Sequence, residues 1–193
     1  MTVPASMLLK SLVCFLAIGV GVLQAESSNE RRFPGVGQPV SDQDVARIDI
    51  DVMPDGRGLP AGSGSAVEGK PLYARLCANC HGEEGEGGGF DALAGGVPAN
   101  ARMFAQDPSV TRTIGNYWPY ATTVFDYVRR SMPFDQPGSL KDEQVYALTA
   151  YLLYLNDLVD ARTVIDAGSL PGIKMPALQF YVPDDRKGGV EIK

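Results

Sequence analysis

Histidine and cysteine are both scarce in this chain: 193 residues hold one histidine, His81, and three cysteines, Cys14, Cys77 and Cys80. A four-ligand zinc site is therefore short of donors, because Cys14 lies in a segment expected to be removed. Lysine and arginine form no cluster of the kind that follows nucleic acid, and the formal net charge is −6. An acidic surface suits a soluble protein and could orient it toward a basic partner, with simple solubility accounting for much of the charge. Long apolar runs are also missing. The one at residues 11–23 follows Lys10, is too short for a convincing membrane span and precedes a polar stretch. With Leu23-Gln24-Ala25 before Glu26 it reads as a secretory signal peptide over residues 1–25, removal of which makes the net charge one unit more negative. An uncleaved anchor is the alternative. In a bacterium this pattern implies the periplasm.

Against that scarcity, Cys77-Ala78-Asn79-Cys80-His81 concentrates both remaining cysteines and the histidine in five residues. A bare Cys-x-x-Cys could be a redox pair, a structural disulfide or half a zinc site. A thioredoxin-like site needs a βαβ context that the flanks do not supply. The adjacent histidine turns the reading toward c-type haem attachment: Cys77 and Cys80 reach the two vinyl groups, and His81 lies beneath the iron as proximal ligand. With no second histidine, bis-histidine ligation within the chain is excluded.

The sixth ligand is then expected to be a methionine. Met1 and Met7 leave with the signal, Met53 precedes the motif, Met103 follows His81 too closely to reach the opposite haem face, and Met175 lies beyond the last helix. Met132, followed by Pro133, which restricts the backbone around it, is the expected axial ligand.

Composition divides the rest. Residues 26–64 are rich in proline and glycine and read as an extended N-terminal arm. Ser65 and Glu68 match a capping box, predicting a helix that runs into the haem motif, with Gly69 small enough for close helix contact. The glycine-rich stretch 82–100 reads as a loop around the haem edge. Residues 121–130 show a helical pattern with Val124, Phe125 and Val128 on one side. Tyr117 and Trp118 before it are either core or haem-pocket aromatics. A last helix is expected from Ser139, with Asp142 as a cap signal, through Leu155. Residues 161–193 read as an irregular C-terminal tail, leaving 65–160 as the haem domain. The expected fold is all-α, three main helices around one covalent haem, with irregular extensions.

Cys77–His81, Ser131-Met132-Pro133 and the terminal helix with Leu148 and Tyr151 resemble class I cytochrome c over roughly residues 65–158. The runs Ile114-Gly115-Asn116-Tyr117-Trp118-Pro119-Tyr120, Met132-Pro133-Phe134-Asp135-Gln136-Pro137-Gly138 and Lys174-Met175-Pro176 are similar to the cytochrome subunit of sulfur-oxidising (Sox-type) sulfane or sulfite dehydrogenases. Some members of that group carry a second haem domain, whereas this chain has one Cys-x-x-Cys-His. The resemblance implies a molybdenum-cofactor dehydrogenase subunit as electron donor and a downstream cytochrome or oxidase as acceptor. On it the chain has no substrate turnover of its own, and both extensions are candidate partner-wrapping arms, the alternatives being that they fold back or stay disordered. A free electron carrier remains open, as does a haem enzyme or gas sensor with an open iron position, against which Met132 argues.

Overall fold

The computed structural model describes residues 37–95 and 104–183. The signal-peptide reading, Cys14, Met103 and the ends of both extensions lie outside the described residues. The elements below all belong to the unit Pro39–Arg186. In chain order they are α1 (Asp42–Ile48), β1 (Ser63–Ser65), α2 (Ala66–Leu76), α3 (Ala78–His81), α4 (Ile114–Tyr117), α5 (Ala121–Ser131), α6 (Asp142–Leu155) and β2 (Val164–Asp166). Two 3-10 turns, Leu170–Gly172 and Pro176–Phe180, follow.

Helix α2 starts where the sequence predicts. The Ser65 hydroxyl accepts from the Glu68 N–H, and the Glu68 carboxylate accepts from the Ser65 N–H at 2.8 Å. This pairing also holds the Glu68 carboxyl below its usual range, the Ser65 side-chain bond being the largest cause. The helix packs on α6 with almost nothing between the backbones: a Cβ on Gly69 would lie 2.0 Å from the Ala147 carbonyl oxygen. Gly64 is pressed equally hard on Ala147, where a Cβ would meet the backbone nitrogen at 2.4 Å. Around this crossing Tyr73, Tyr151, Leu148 and Ala150 are buried, and the Tyr73 and Tyr151 rings meet at 5.2 Å. Val67, although apolar, is exposed. Ala66 and Gly69 occupy the buried face instead.

The last helix begins later than Ser139. Pro137-Gly138 turns the chain with Gly138 at φ +74°, and the Ser139 N–H donates back to the Gln136 carbonyl. Lys141 becomes the cap residue, its N–H donating to the Gln144 side-chain oxygen at 2.9 Å. A small sheet accompanies the helices: β1 and β2 pair antiparallel with Gly64 opposite Ile165.

Both extensions, where described, fold back on the helices. The arm lays buried Val52 against α5, donates the Val52 N–H to Asp126 at 3.1 Å, and offers the Pro60 carbonyl to the Tyr146 hydroxyl at 2.8 Å. The tail contributes Ile165, Leu170, Met175 and Ala177 to the core, each at most 4% exposed. Arm and tail also meet each other, since a Cβ on Gly56 would lie 2.5 Å from the Pro171 ring. Helix α1 differs: none of its residues is buried.

Candidate haem site

Helix α2 delivers the motif. Its last turn closes when the Cys77 N–H donates to the Tyr73 carbonyl at 2.8 Å, and α3 then carries Cys80 and His81. The buried Tyr73 hydroxyl reaches across to the Gly82 carbonyl at 2.9 Å, fastening the far end of α3 to the same helix. Gly82 needs φ +83°, and a Cβ there would strike the Glu86 carboxylate at 2.5 Å or less, so only glycine suits the turn. The following loop folds back over the motif. The Gly87 N–H donates to His81, Phe90 to Cys80, and both Leu93 and Ala94 to Gly85. Residues 96–100 of the expected haem-edge loop lie outside the described residues.

Cys77 and Cys80 are unpaired and half-buried. Burial, and secondarily the neighbouring Cys80, pushes the Cys77 thiol up to about 11. A thioredoxin-like attacking cysteine needs the opposite shift, so burial at Cys77 does not favour the thiolate. Among the described residues, no group of three or more His, Cys, Asp or Glu is placed to hold a metal ion.

His81 is fixed by a bond that its sequence context does not announce. Its Nδ1 lies 2.8 Å from the Asp91 carbonyl oxygen. A carbonyl only accepts, so Nδ1 carries the proton and Nε2 is left with a free lone pair, the form a metal-ligating imidazole requires. The contribution comes from the Asp91 backbone, which leaves no side-chain signature. Asn156, buried at the end of α6, supports the same region. Its amide donates to Leu93 at 3.0 Å and Leu152 at 2.8 Å while accepting from the Gly115 N–H at 3.0 Å.

Met132 follows the last residue of α5 and is half-buried against the core cluster, its N–H donating to Val128 at 3.2 Å. Phe90 links its loop to the histidine: the Phe90 ring lies 6.2 Å from the His81 ring and 6.3 Å from that of Phe134, two residues beyond Met132. The other described methionines are placed differently. Met175 is 4% exposed within the core, and Met53 is exposed. Trp118 packs on the core edge with its ring against Tyr127 at 5.6 Å. Tyr117 meets Phe104 edge-on, and the Arg112 guanidinium lies over both rings at 5.4 Å.

Two unpaired thiols at a helix junction and an imidazole with its lone pair freed, with Leu93, Trp118, Met132 and Leu155 half-buried against the core cluster, fit a covalently held haem. This arrangement defines a c-type cytochrome, and the chain belongs to the cytochrome c family, whose pattern it matches over residues 66–156. More particularly, it is similar to a chain in the crystal structure of the sulfane dehydrogenase SoxCD from Paracoccus pantotrophus. That likeness has 40% identity and a TM-score of 0.67, covering 79% of this chain and 73% of that one. It is also 30% identical over 93 residues to a thiosulfate dehydrogenase of Stutzerimonas stutzeri (strain A1501), covering 48% of this chain and 28% of that protein. A thiosulfate dehydrogenase of Psychrobacter arcticus is 34% identical over 89 residues, 45% of this chain and 25% of that protein. The chain thus spans about a quarter of the length of the curated relatives it matches. The family and these relatives bear out the class I cytochrome c fold, mostly helical with one small two-stranded sheet, and the kinship with sulfur-oxidation cytochromes.

Proposed function

We propose that the chain carries one haem c, held by Cys77 and Cys80 with His81 and Met132 as axial ligands, and that it is the electron-accepting subunit of a molybdenum sulfane or sulfite dehydrogenase. The observation that carries the subunit role is the 40% identity, over most of both chains, with a chain of sulfane dehydrogenase SoxCD. Haem supplies a one-electron couple. This chain's own residues anchor it through two thioethers, present the Nε2 lone pair by tying Nδ1 to Asp91, and offer a thioether that favours the ferrous state. Sulfur chemistry then belongs to the partner, and the haem passes electrons on to another cytochrome or an oxidase. The protein works in the periplasm, on the strength of the N-terminal signal pattern. No helix among the described residues is long and apolar enough to cross a membrane.

Co-expression with a molybdenum-cofactor dehydrogenase subunit tests the reading. The two should co-purify, and sulfite or a protein-bound sulfane should reduce the haem only when the partner is present. Substrate turnover by the isolated chain would refute the electron-accepting role, and failure to associate would leave the free carrier as the better account.

A further inference from the structure

The two arginines that precede Ser131-Met132 are both tied to the N-terminal arm. Arg129 donates to the Ile50 carbonyl at 3.3 Å and pairs with Asp142 at 3.2 Å. Arg130 pairs with Asp51 at 3.1 Å and donates to Asp126 from Nη2 at 2.8 Å and from Nε at 3.1 Å. The other oxygen of Asp126 accepts the Val52 N–H at 3.1 Å. Asp126, with its side chain 12% exposed, thus joins α5 and the arm at one point. Asp142 is the first residue of α6, so the Arg129–Asp142 pair closes the base of the loop that begins with Met132. Three successive arm residues and the start of α6 therefore converge on the last turns of α5. The Met132 backbone leaves from those turns.

We propose that Asp126 is a positioning residue for the axial thioether: by locking Arg130 and Val52 together it holds the end of α5, and with it Met132, against the iron. Asp142 acts to the same end by pinning the far side of the loop through Arg129. The proposal rests on the reading of Met132 as the sixth ligand. A charged, nearly buried acceptor with three donors is costly to replace, because its removal leaves Arg130 and the Val52 N–H under-paired. The loop then spends more time with the thioether off the iron, and an external ligand competes better.

Imidazole titration of the full-length ferric holoprotein reads this directly, followed by loss of the sulfur-to-iron charge-transfer band. Asp126→Asn is expected to raise imidazole affinity about tenfold, which corresponds to about 1.4 kcal/mol. Asp142→Asn, at a carboxylate that is 35% rather than 12% exposed, should raise it by a smaller factor. Asp55→Asn, which breaks only the exposed Asp55–Arg57 pair within the arm, should leave it unchanged. A lower melting temperature with unchanged imidazole affinity in both Asp126→Asn and Asp142→Asn would overturn the proposal, since it would mark a purely structural role. A band that survives Met132→Ala would instead remove the ligand assignment beneath it, an outcome separate from the first.

Discussion

Replacing Gly69 with alanine sets two effects against each other at the α2–α6 crossing. Within a helix the substitution is favourable by ~1 kcal/mol, because alanine loses less conformational entropy than glycine. Against it stands the added Cβ, 2.0 Å from the Ala147 oxygen, 2.6 Å from the Ala147 carbonyl carbon and 2.8 Å from the Tyr151 Cβ. Two of these atoms are backbone and cannot rotate away. The helices must part by about 1.4 Å to bring the 2.0 Å approach out to an ordinary contact, a gap that forfeits about half or more of each dispersion interaction across it. Tyr73 and Tyr151, buried beside the crossing, would lose packing together. Overpacking of this kind costs about 3 kcal/mol, which outweighs the propensity gain and leaves a net loss of roughly 2 kcal/mol. For a domain of this size the melting temperature should fall by roughly 4–8 °C. Thermal unfolding of the ferric holoprotein, followed by far-ultraviolet circular dichroism and haem absorbance, measures it. A melting temperature that rises, as propensity alone would give, refutes the close-approach argument.

Further outcomes concern the haem, the tail and alkaline pH. The wild-type protein should keep its haem in acidified organic solvent, and a Cys77→Ala, Cys80→Ala double variant should lose it. Met132→Ala should lower the reduction potential, abolish the sulfur–iron band and admit exogenous ligands, while Met175→Ala leaves that band in place and instead costs ~2–5 kcal/mol as a core truncation. Leu170→Ala, in the tail, should likewise cost ~3 kcal/mol in chemical denaturation; an effect below ~0.5 kcal/mol would show that the tail does not belong to the core. Burial, and secondarily Asp142, pushes the Tyr146 phenol up to about 12. Its contribution to stability is complete below pH 10 and lost as pH rises toward about 12, so Tyr146→Phe should flatten the alkaline decline seen in denaturant titrations at successive pH values.

What was legible in the sequence is what depends on near neighbours. The Ser65–Glu68 cap spans three residues, the haem motif five, and the need for a small residue at Gly69 follows from its place on an apolar helix face. The start of α6 was misread because Ser139 and Asp142 carry the same local signal whether or not a turn intervenes. The Pro137-Gly138 turn takes Ser139 out of the helix, and the Gln144 amide supplies the reciprocal bond. The extensions were harder still. Their glycines and prolines correctly give irregular backbone, but irregular backbone can be packed. The bonds that pack it join residues far apart in sequence, Val52 to Asp126 and Pro60 to Tyr146, and no periodicity records them. The His81–Asp91 bond is hidden for another reason, since any residue at position 91 offers a carbonyl.

The folding back of the extensions changes what a truncation can test. Deleting residues 161–193 would look like a clean way to remove a partner-binding arm if the tail lay outside the haem-binding helices. It does not: Ile165, Leu170 and Met175 are buried, and β2 holds the strand that leads into the Ser65 cap of α2. Losing three such side chains removes on the order of several kcal/mol, comparable with the whole stability of a domain. The haem spectrum should therefore suffer at least as much as any partner complex, because α2 carries Cys77 at its end and enters through β1. Point substitutions on exposed residues of the tail separate the two roles. Val182, 88% exposed and outside every helix and strand, is the suitable probe. Val182→Asp should leave the unfolding free energy within ~0.5 kcal/mol of wild type while weakening association if this end of the tail touches the dehydrogenase. Unchanged association by analytical ultracentrifugation would place the contact elsewhere on the chain.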